Sequence, residues 1–552
     1  MVSEAGLERL AKWIGLECLW EDDTGSDSKS RTLIVAGSAL ELVIVLTNNI
    51  VQSVSLAFPE SPETVTRHAE KAGKILLDDL ALLPGQSPLT KRLDRFAANF
   101  ERLATLDKLS INPGLNLYEA VAGIYESLER LHQWDLRKLR EDPTLQGKGD
   151  EYIANMALCT RNGAPVMHAR DRVGLSHDYW KEKRLIPSTS EREAAYIAET
   201  EKTWGMLINC GNLGGMAIPP VRVSNMWIST EVEKADLGDD LQLGQPVTLD
   251  WLQPDDTVLQ APDPNKPGAG AEIMGSNLPN VMFTATLDPP LNVPSLIWQQ
   301  IRQIGGDLAA RDDLVYDTLD SLMFPIPPGS QSDPSELRTI RCIKEVDFMP
   351  LGGKVLTTKT HRNTLHIYKP VYGKTLKEIP FSHPQQLINM LPFLRQYAFL
   401  STLLDNSFRQ KSNVPETSKP DPSVETTQTT TTTTNQDDFG MFMVNQKRSV
   451  AKAAANARVD GPQTPSTDVD VTLSAHPVPR LQIVFPFRST TANVVLEIRP
   501  NGQVHVESQN VIDETNSTAP NGRRRQPEDV GKLLETIEDI GKWCEFIRSR
   551  WA

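Results

Sequence analysis

The chain has 552 residues, 39% apolar and 23% charged, proportions of a globular protein long enough for two or three domains. Its formal net charge of -14 at pH 7 argues against a general nucleic-acid binder, because neutralising phosphates requires clustered Lys and Arg. The five cysteines, Cys18, Cys159, Cys210, Cys342 and Cys544, form no CxxC pair, so neither a disulfide framework nor a zinc site is expected, and the compartment reads as reducing.

The N-terminal MVSEAGLERLAKWIGLE is amphipathic and contains acids, unlike the apolar core of a secretory signal. The expected location is cytoplasmic or nuclear. The most apolar stretch runs from Leu33 to Phe58, yet its longest unbroken apolar run is Leu42 to Leu46, whereas a bilayer span needs ~20 such residues. No membrane partner is expected. Leu40, Leu42, Ile44 and Leu46 alternate with Glu41, Val43, Val45 and Thr47, and beyond Asn48-Asn49 the residues Val54, Leu56 and Phe58 alternate with small ones. Asparagine tolerates the positive φ of tight hairpin turns, so two strands joined at Asn48-Asn49 are predicted, with one face to be covered by another element.

Three helices should follow. Val65, Ala69, Ala72, Leu76 and Leu80 recur at helical spacing behind Ser61-Pro62, and Pro84-Gly85 ends the run. Leu89, Leu93, Phe96, Phe100 and Leu103 form a second stripe behind Ser87-Pro88, where Pro suits a first helical turn. Leu117, Val121, Ile124, Leu128 and Leu131 form the third. From about residue 150 the texture is β-rich, starting with the segment from Glu151 to Trp180, in which Asn162-Gly163 signals a turn. WGMLINCG, PVRVSNMWIST, VMFTATLD and TLHIYKPVYG read as further strands, and the acidic, proline-rich span Glu231 to Pro267 as a long exposed loop. A helix carries Leu387, Leu391, Leu394, Tyr397, Leu400 and Leu404, with Pro392 either marking its start or kinking it.

Residues 409–478 contain TTQTTTTTTNQ and little apolar surface to offset ordering entropy, so disorder is expected. LQIVFPF and ANVVLEIRPNGQVHVESQ form a closing hairpin turned at Asn501-Gly502, followed by a helical face of Val530, Leu533, Leu534, Ile537, Ile540, Cys544 and Ile547. The basic run Arg523-Arg525 is read as a solvated loop rather than a nuclear address. The predicted fold class is α+β, with hairpins packed on helices. Its predicted regions are a hairpin plus helices (1–150), a β-rich middle ending in an apolar helix (151–408), a disordered insertion (409–478) and a C-terminal hairpin and helix (479–552).

No catalytic constellation emerges from the residues. MHARD, through His168 and Asp171, resembles a kinase catalytic loop, but no Gly-rich loop, strand lysine or DFG accompanies it. Asp171 is expected to order a turn between strands. GNLGG lacks the GxGxxG spacing. His361 and His366 fall on opposite faces of a regular strand, and Asp236, Asp239, Asp240, Asp255 and Asp256 lack EF-hand spacing. Neither a cofactor nor a metal is expected. The alternatives are an acidic scaffold of some other complex, or an enzyme whose dispersed His168, Asp171 and His383 converge on a pocket. Leu400-Ser-Thr-Leu403-Leu404 matches the LxxLL pattern of groove-docking helices. Because these leucines continue the stripe from Leu387, core packing is favoured over docking.

IPFSHPQQLINMLPFLRQYAFLSTLLDNSF, Ile379 to Phe408, and the stretch from Leu33 through SPLTKRLDRFAANFERL resemble the fungal Mediator of RNA polymerase II transcription subunit 1 family. GAPVMHARDRVGLSHDYW and LLETIEDIGKWCEFIRSRW are similar to it as well. The resemblance implies a nuclear, non-enzymatic coactivator subunit of the Mediator middle module, a scaffold relaying signals from activators to RNA polymerase II. It implies other middle-module subunits and transcription activators as partners, RNA polymerase II indirectly, and no direct nucleic acid. Animal members carry receptor-binding LxxLL motifs in a long C-terminal extension. The sequence here ends at Ala552 shortly after its last helix, so receptor docking of that kind is not expected.

Overall fold

The computed structural model describes residues 2–22, 30–88, 90–111, 114–186, 202–216, 218–234, 248–259, 278–306, 317–326, 338–349, 357–409, 466–513 and 524–551. The chain opens with helix α1 (Glu4–Ile14), capped by Ser3, whose Oγ accepts from the Gly6 amide at 3.1 Å. Strands β1 (Glu17–Asp22), β2 (Ser30–Ala36), β3 (Glu41–Thr47) and β4 (Ile50–Ala57) then form an antiparallel sheet in chain order. Asn48 and Asn49 have φ of 53° and 64°, as a two-residue turn between twisted strands demands. Leu42, Ile44 and Leu46 are buried in alternation, and a bulge between Val45 and Leu46 sets Leu46 opposite Val51 rather than Gln52. The predicted hairpin is thus the second half of a larger sheet.

The stripe from Val65 to Leu80 is divided at Arg67-His68 into α2 (Glu63–Thr66) and α3 (Ala69–Leu80). A Cβ on Gly73 would lie 3.3 Å from the Val54 carbonyl oxygen, so glycine lets α3 rest directly on β4. Helix α4 (Asp94–Leu109) begins later than the sequence suggested. Ser87-Pro88 instead lies in a turn closed by the Thr90 amide on the Ser87 carbonyl at 3.0 Å, and Leu89 lies outside the described residues. Helix α5 (Leu117–Glu141) starts at an Asn116 cap. Residues 150–160, assigned above to the β-rich texture, form α6 (Asp150–Thr160). Ile153 and Ala157, one helical turn apart, pack there on Leu139 of α5.

Next come β5 (Ala164–Ala169), β6 (Arg172–Lys181), β7 (Thr203–Asn212), β8 (Ile228–Glu233), β9 (Leu249–Trp251), β10 (Val281–Pro294), α7 (Ser295–Gly305), β11 (Asp317–Thr318) and α8 (Leu319–Met323). They lead to β12 (Thr339–Phe348), β13 (Thr357–Ile367), β14 (Tyr372–Phe381) and α9 (Pro384–Phe408). The second sheet has the order β11-β14-β10-β7-β6-β5, while β8 and β9 pair with each other. PVRVSNMWIST becomes a strand only from Ile228, although the Val221 amide donates to the Val281 carbonyl of β10 at 2.7 Å. The Glu231 to Pro267 loop contains the end of β8 and all of β9, and its residues 235–247 and 260–267 lie outside the described residues. Helix α9 starts at Pro384, well before Pro392, which stands inside it. His383 and Gln386 cap it reciprocally.

The third sheet, β12-β13-β15-β16-β17-β18, adds β15 (Thr467–Ser474), β16 (Arg480–Phe487), β17 (Thr490–Arg499) and β18 (Gln503–Gln509), with β13 and β15 parallel. Strand β15 lies within the span 409–478 assigned to the insertion. Val469, Val471 and Leu473 alternate and are buried, a period-two signal masked by the Thr-rich composition before it. Arg409, Ser466 and residues 475–478 of that span are described too, and the rest of the predicted disorder, residues 410–465, lies outside the described residues. The last helical face is two helices, α10 (Pro527–Ile537) and α11 (Ile540–Arg550), separated at Glu538 with φ 54° and recapped by Asp539.

The architecture is α+β. Helix α9 contacts β6, β10 and β14 of the second sheet and β12, β13 and β17 of the third. Leu394 to Leu400 are buried without a break, so α9 is enclosed on all sides rather than along the single stripe read from the sequence. No described helix is long and apolar enough to cross a membrane.

Candidate interaction site

Helix α9 carries the LxxLL residues into the interior: Leu400, Leu403 and Leu404 are 0%, 0% and 1% exposed. Arg395, Gln396 and Ser407 of the same helix act as spokes. Arg395, 1% exposed, donates to the carbonyls of Tyr179 (3.0 Å) and Leu158 (2.8 Å) and to Asn501 Oδ1 (3.0 Å). Gln396 donates to the Ile498 carbonyl at 2.6 Å. The Ser407 hydroxyl accepts from the Ile540 amide at 3.0 Å, and the Ser407 carbonyl accepts from Asn363 at 2.8 Å. These bonds tie α9 to α6, β6, β13, β17 and α11, satisfying groups whose burial unpaired would be costly.

Two ionic clusters fasten the C-terminal helices. Arg184 donates to Glu538 at 2.8 Å, both nearly fully buried, and the Lys183 amide donates to the other carboxylate oxygen at 2.8 Å. On α11, buried Glu545 meets His361 (3.0 Å) and Lys359 (2.8 Å) of β13, and Arg548 one turn on. Burial pushes the Glu545 carboxyl up, but hydrogen bonds from His361 and Lys359 and the charge of Arg548 hold it at about 2. A depressed carboxylate contributes stability that is present above its unfolded pKa and lost as pH falls through the folded one. Melting temperature should therefore fall between about pH 4.5 and 2, and Glu545→Gln should shrink that part of the fall. An unaltered acid profile in this variant would remove Glu545 from the account.

Of the residues of the catalytic alternative, His168 and Asp171 share one turn, while His383 stands at the start of α9. His168 lies in the β5–β6 turn region with φ 52°, its Nδ1 accepting from the Gly174 amide at 2.9 Å. Burial pushes its imidazole down to about 3, so it is neutral at physiological pH. Asp171 occupies the same turn at φ 59° and pairs with Arg95 at 2.6 Å. His383 caps α9 and bonds through Nε2 to the Leu252 carbonyl at 2.8 Å, its ring edge-on to Trp227 and Trp251. None of the three lines the cleft of about 800 Å³ between α5 and α9, which Asp135, Lys138, Arg161, Pro392 and Arg395 border. Asp135 there is held by the Asn162 amide and side chain, at 3.0 and 3.1 Å.

His361 is buried and His366 exposed, on opposite faces of β13. Gly214 and Gly215 form a turn after β7. Asp255 and Asp256 are exposed, while Asp236, Asp239 and Asp240 lie outside the described residues. Among the described residues, no three His, Cys, Asp or Glu side chains gather as metal ligands.

Sequence reasoning missed the buried polar set. Its one visible signal was Arg395-Gln396 in the middle of an apolar helix, where charged and amide groups stand only if partnered.

No curated protein matches the chain. The family model for Mediator of RNA polymerase II transcription subunit 1 matches residues 1–409, well over half the sequence. That family is a subunit of the Mediator coactivator complex, a scaffold kind of protein acting in transcription, and membership entails association with other Mediator subunits. The matched span takes in the first two sheets and α9 entire, and on it the chain belongs to the Mediator of RNA polymerase II transcription subunit 1 family.

Proposed function

We propose that this chain works in the nucleus as a scaffold of the Mediator middle module, passing contacts between DNA-bound activators and RNA polymerase II without catalysing a reaction. The observation that carries this reading is how the titratable groups are used. His168, His383 and Glu538 bond backbone groups, His361 and Glu545 join β13 to α11 through their side chains, and His168, Asp171 and His383 do not line the cleft between α5 and α9. In the same reading Leu400, Leu403 and Leu404 serve packing rather than docking. Affinity purification of the tagged full-length chain under mild salt, followed by mass spectrometry, should recover other Mediator subunits. Recovery without any of them would overturn the assignment.

A further inference from the structure

The N-terminal sheet has two faces, and described elements cover one. Leu33, Val35, Leu42, Ile44 and Leu46 point inward and are buried in the core that α1 and α3 complete. Successive strand residues point to opposite faces, so their neighbours make the outer surface. The register sets Leu19 beside Ile34 and Ile34 beside Val43, with the row Glu21, Thr32, Val45 and Ser53 alongside. Leu19 is 58% exposed, and Ile34, Val43 and Val45 are each partly exposed. None of these four belongs to the main apolar cluster or to the partly buried residues packed on it.

The charges on this face have one sign. Glu17, Glu21 and Glu41 flank the apolar row, and their carboxylates make no hydrogen bond or ion pair with a described residue. Arg31, the cation within these four strands, lies on the inner face, bound to Glu4 and Asp22.

We propose that this outer face docks an amphipathic helix of another Mediator subunit. The helix lays its apolar stripe on Leu19, Ile34, Val43 and Val45 and brings Lys or Arg to Glu17, Glu21 and Glu41. The proposal rests on the scaffold reading above. A second copy of the chain fits poorly, since face-to-face stacking opposes like charges without counter-ions. Strands of seven residues span about 23 Å, which a helix of about 15 residues covers. An antiparallel sheet commonly leaves its second face to solvent, but the apolar row on this one gives a helix layer surface to bury.

The test uses Mediator assembled with the full-length chain. Combined Val43→Thr and Val45→Thr keeps β-branched shape while removing apolar surface. It should lower retention of the chain in the assembly about tenfold at an unchanged melting temperature. Glu21→Lys with Glu41→Lys should do the same by reversing the charge. Retention equal to wild type in both variants overturns the proposal. Carbodiimide coupling then identifies the occupant: lysines three or four apart in one other subunit, joined to Glu17, Glu21 or Glu41, support it, whereas coupling to a second copy of this chain overturns it. If the wild-type chain fails to enter Mediator at all, it is the scaffold reading that falls, which the wild-type control alone reveals.

Discussion

Leu403→Ala should destabilise the protein by ~2–5 kcal/mol, as truncation of a buried leucine does, and lower the melting temperature whether or not other subunits are present. Leu403 is 0% exposed on a helix that touches two sheets. A cavity there is walled by elements anchored elsewhere and closes poorly, which places the cost toward the upper part of that range. A solvent-facing docking leucine would behave differently, its loss usually altering stability by about 0.5 kcal/mol and showing only in partner binding. An unshifted midpoint in a thermal melt would return LxxLL to the surface and reopen groove docking.

Glu538→Ala should cost about 3–5 kcal/mol, because it leaves the Arg184 guanidinium buried without its anion. Arg184 is 4% exposed on its side chain and sits 4.1 Å from the Trp180 ring centroid and 5.3 Å from that of Phe399, so it has no route to water without moving the core. Burial pushes the Glu538 carboxyl up to about 7 against the pull of Arg184, a sign that desolvation offsets much of the pair's attraction. Replacing both partners, Arg184→Met with Glu538→Met, should therefore cost less than removing Glu538 alone. Equilibrium denaturation of the wild type, Glu538→Ala, Arg184→Met, Glu538→Met and the double variant decides the matter. A double variant as damaged as the sum of its singles would show that the two residues act independently.

Much of the secondary structure was legible because one local signal dominated each element. Alternation through Leu42, Ile44 and Leu46 with Asn48-Asn49 gave a hairpin, and the leucines of α5 gave a helix. Legibility failed where signals competed. Strand β15 has clean alternation, but a Thr-rich composition argued for disorder. Helix α6 holds Tyr152 and Ile153, residues with a mild preference for strands, yet Ile153 packs on Leu139 of α5 as part of a helix. The pairing of β13 with β15, across residues 410–465, has no local signal at all. The LxxLL match was visible in the letters, yet its burial is decided by two sheets formed from distant segments. The ion pairs Arg184–Glu538 and His361–Glu545 join residues that nothing in their own neighbourhoods connects.

The family match stops at residue 409, but the third sheet does not respect that limit. A gene shortened there would encode β12 and β13 as a bare ribbon, and two strands alone are marginal in water. Gln396 would lose its Ile498 acceptor, Phe399 the close cover of Gly502, and Ser407 the Ile540 amide. The matched span and the mechanically complete unit thus have different borders in this chain: residues 467–550 lie beyond the match while closing the interior that the matched span builds.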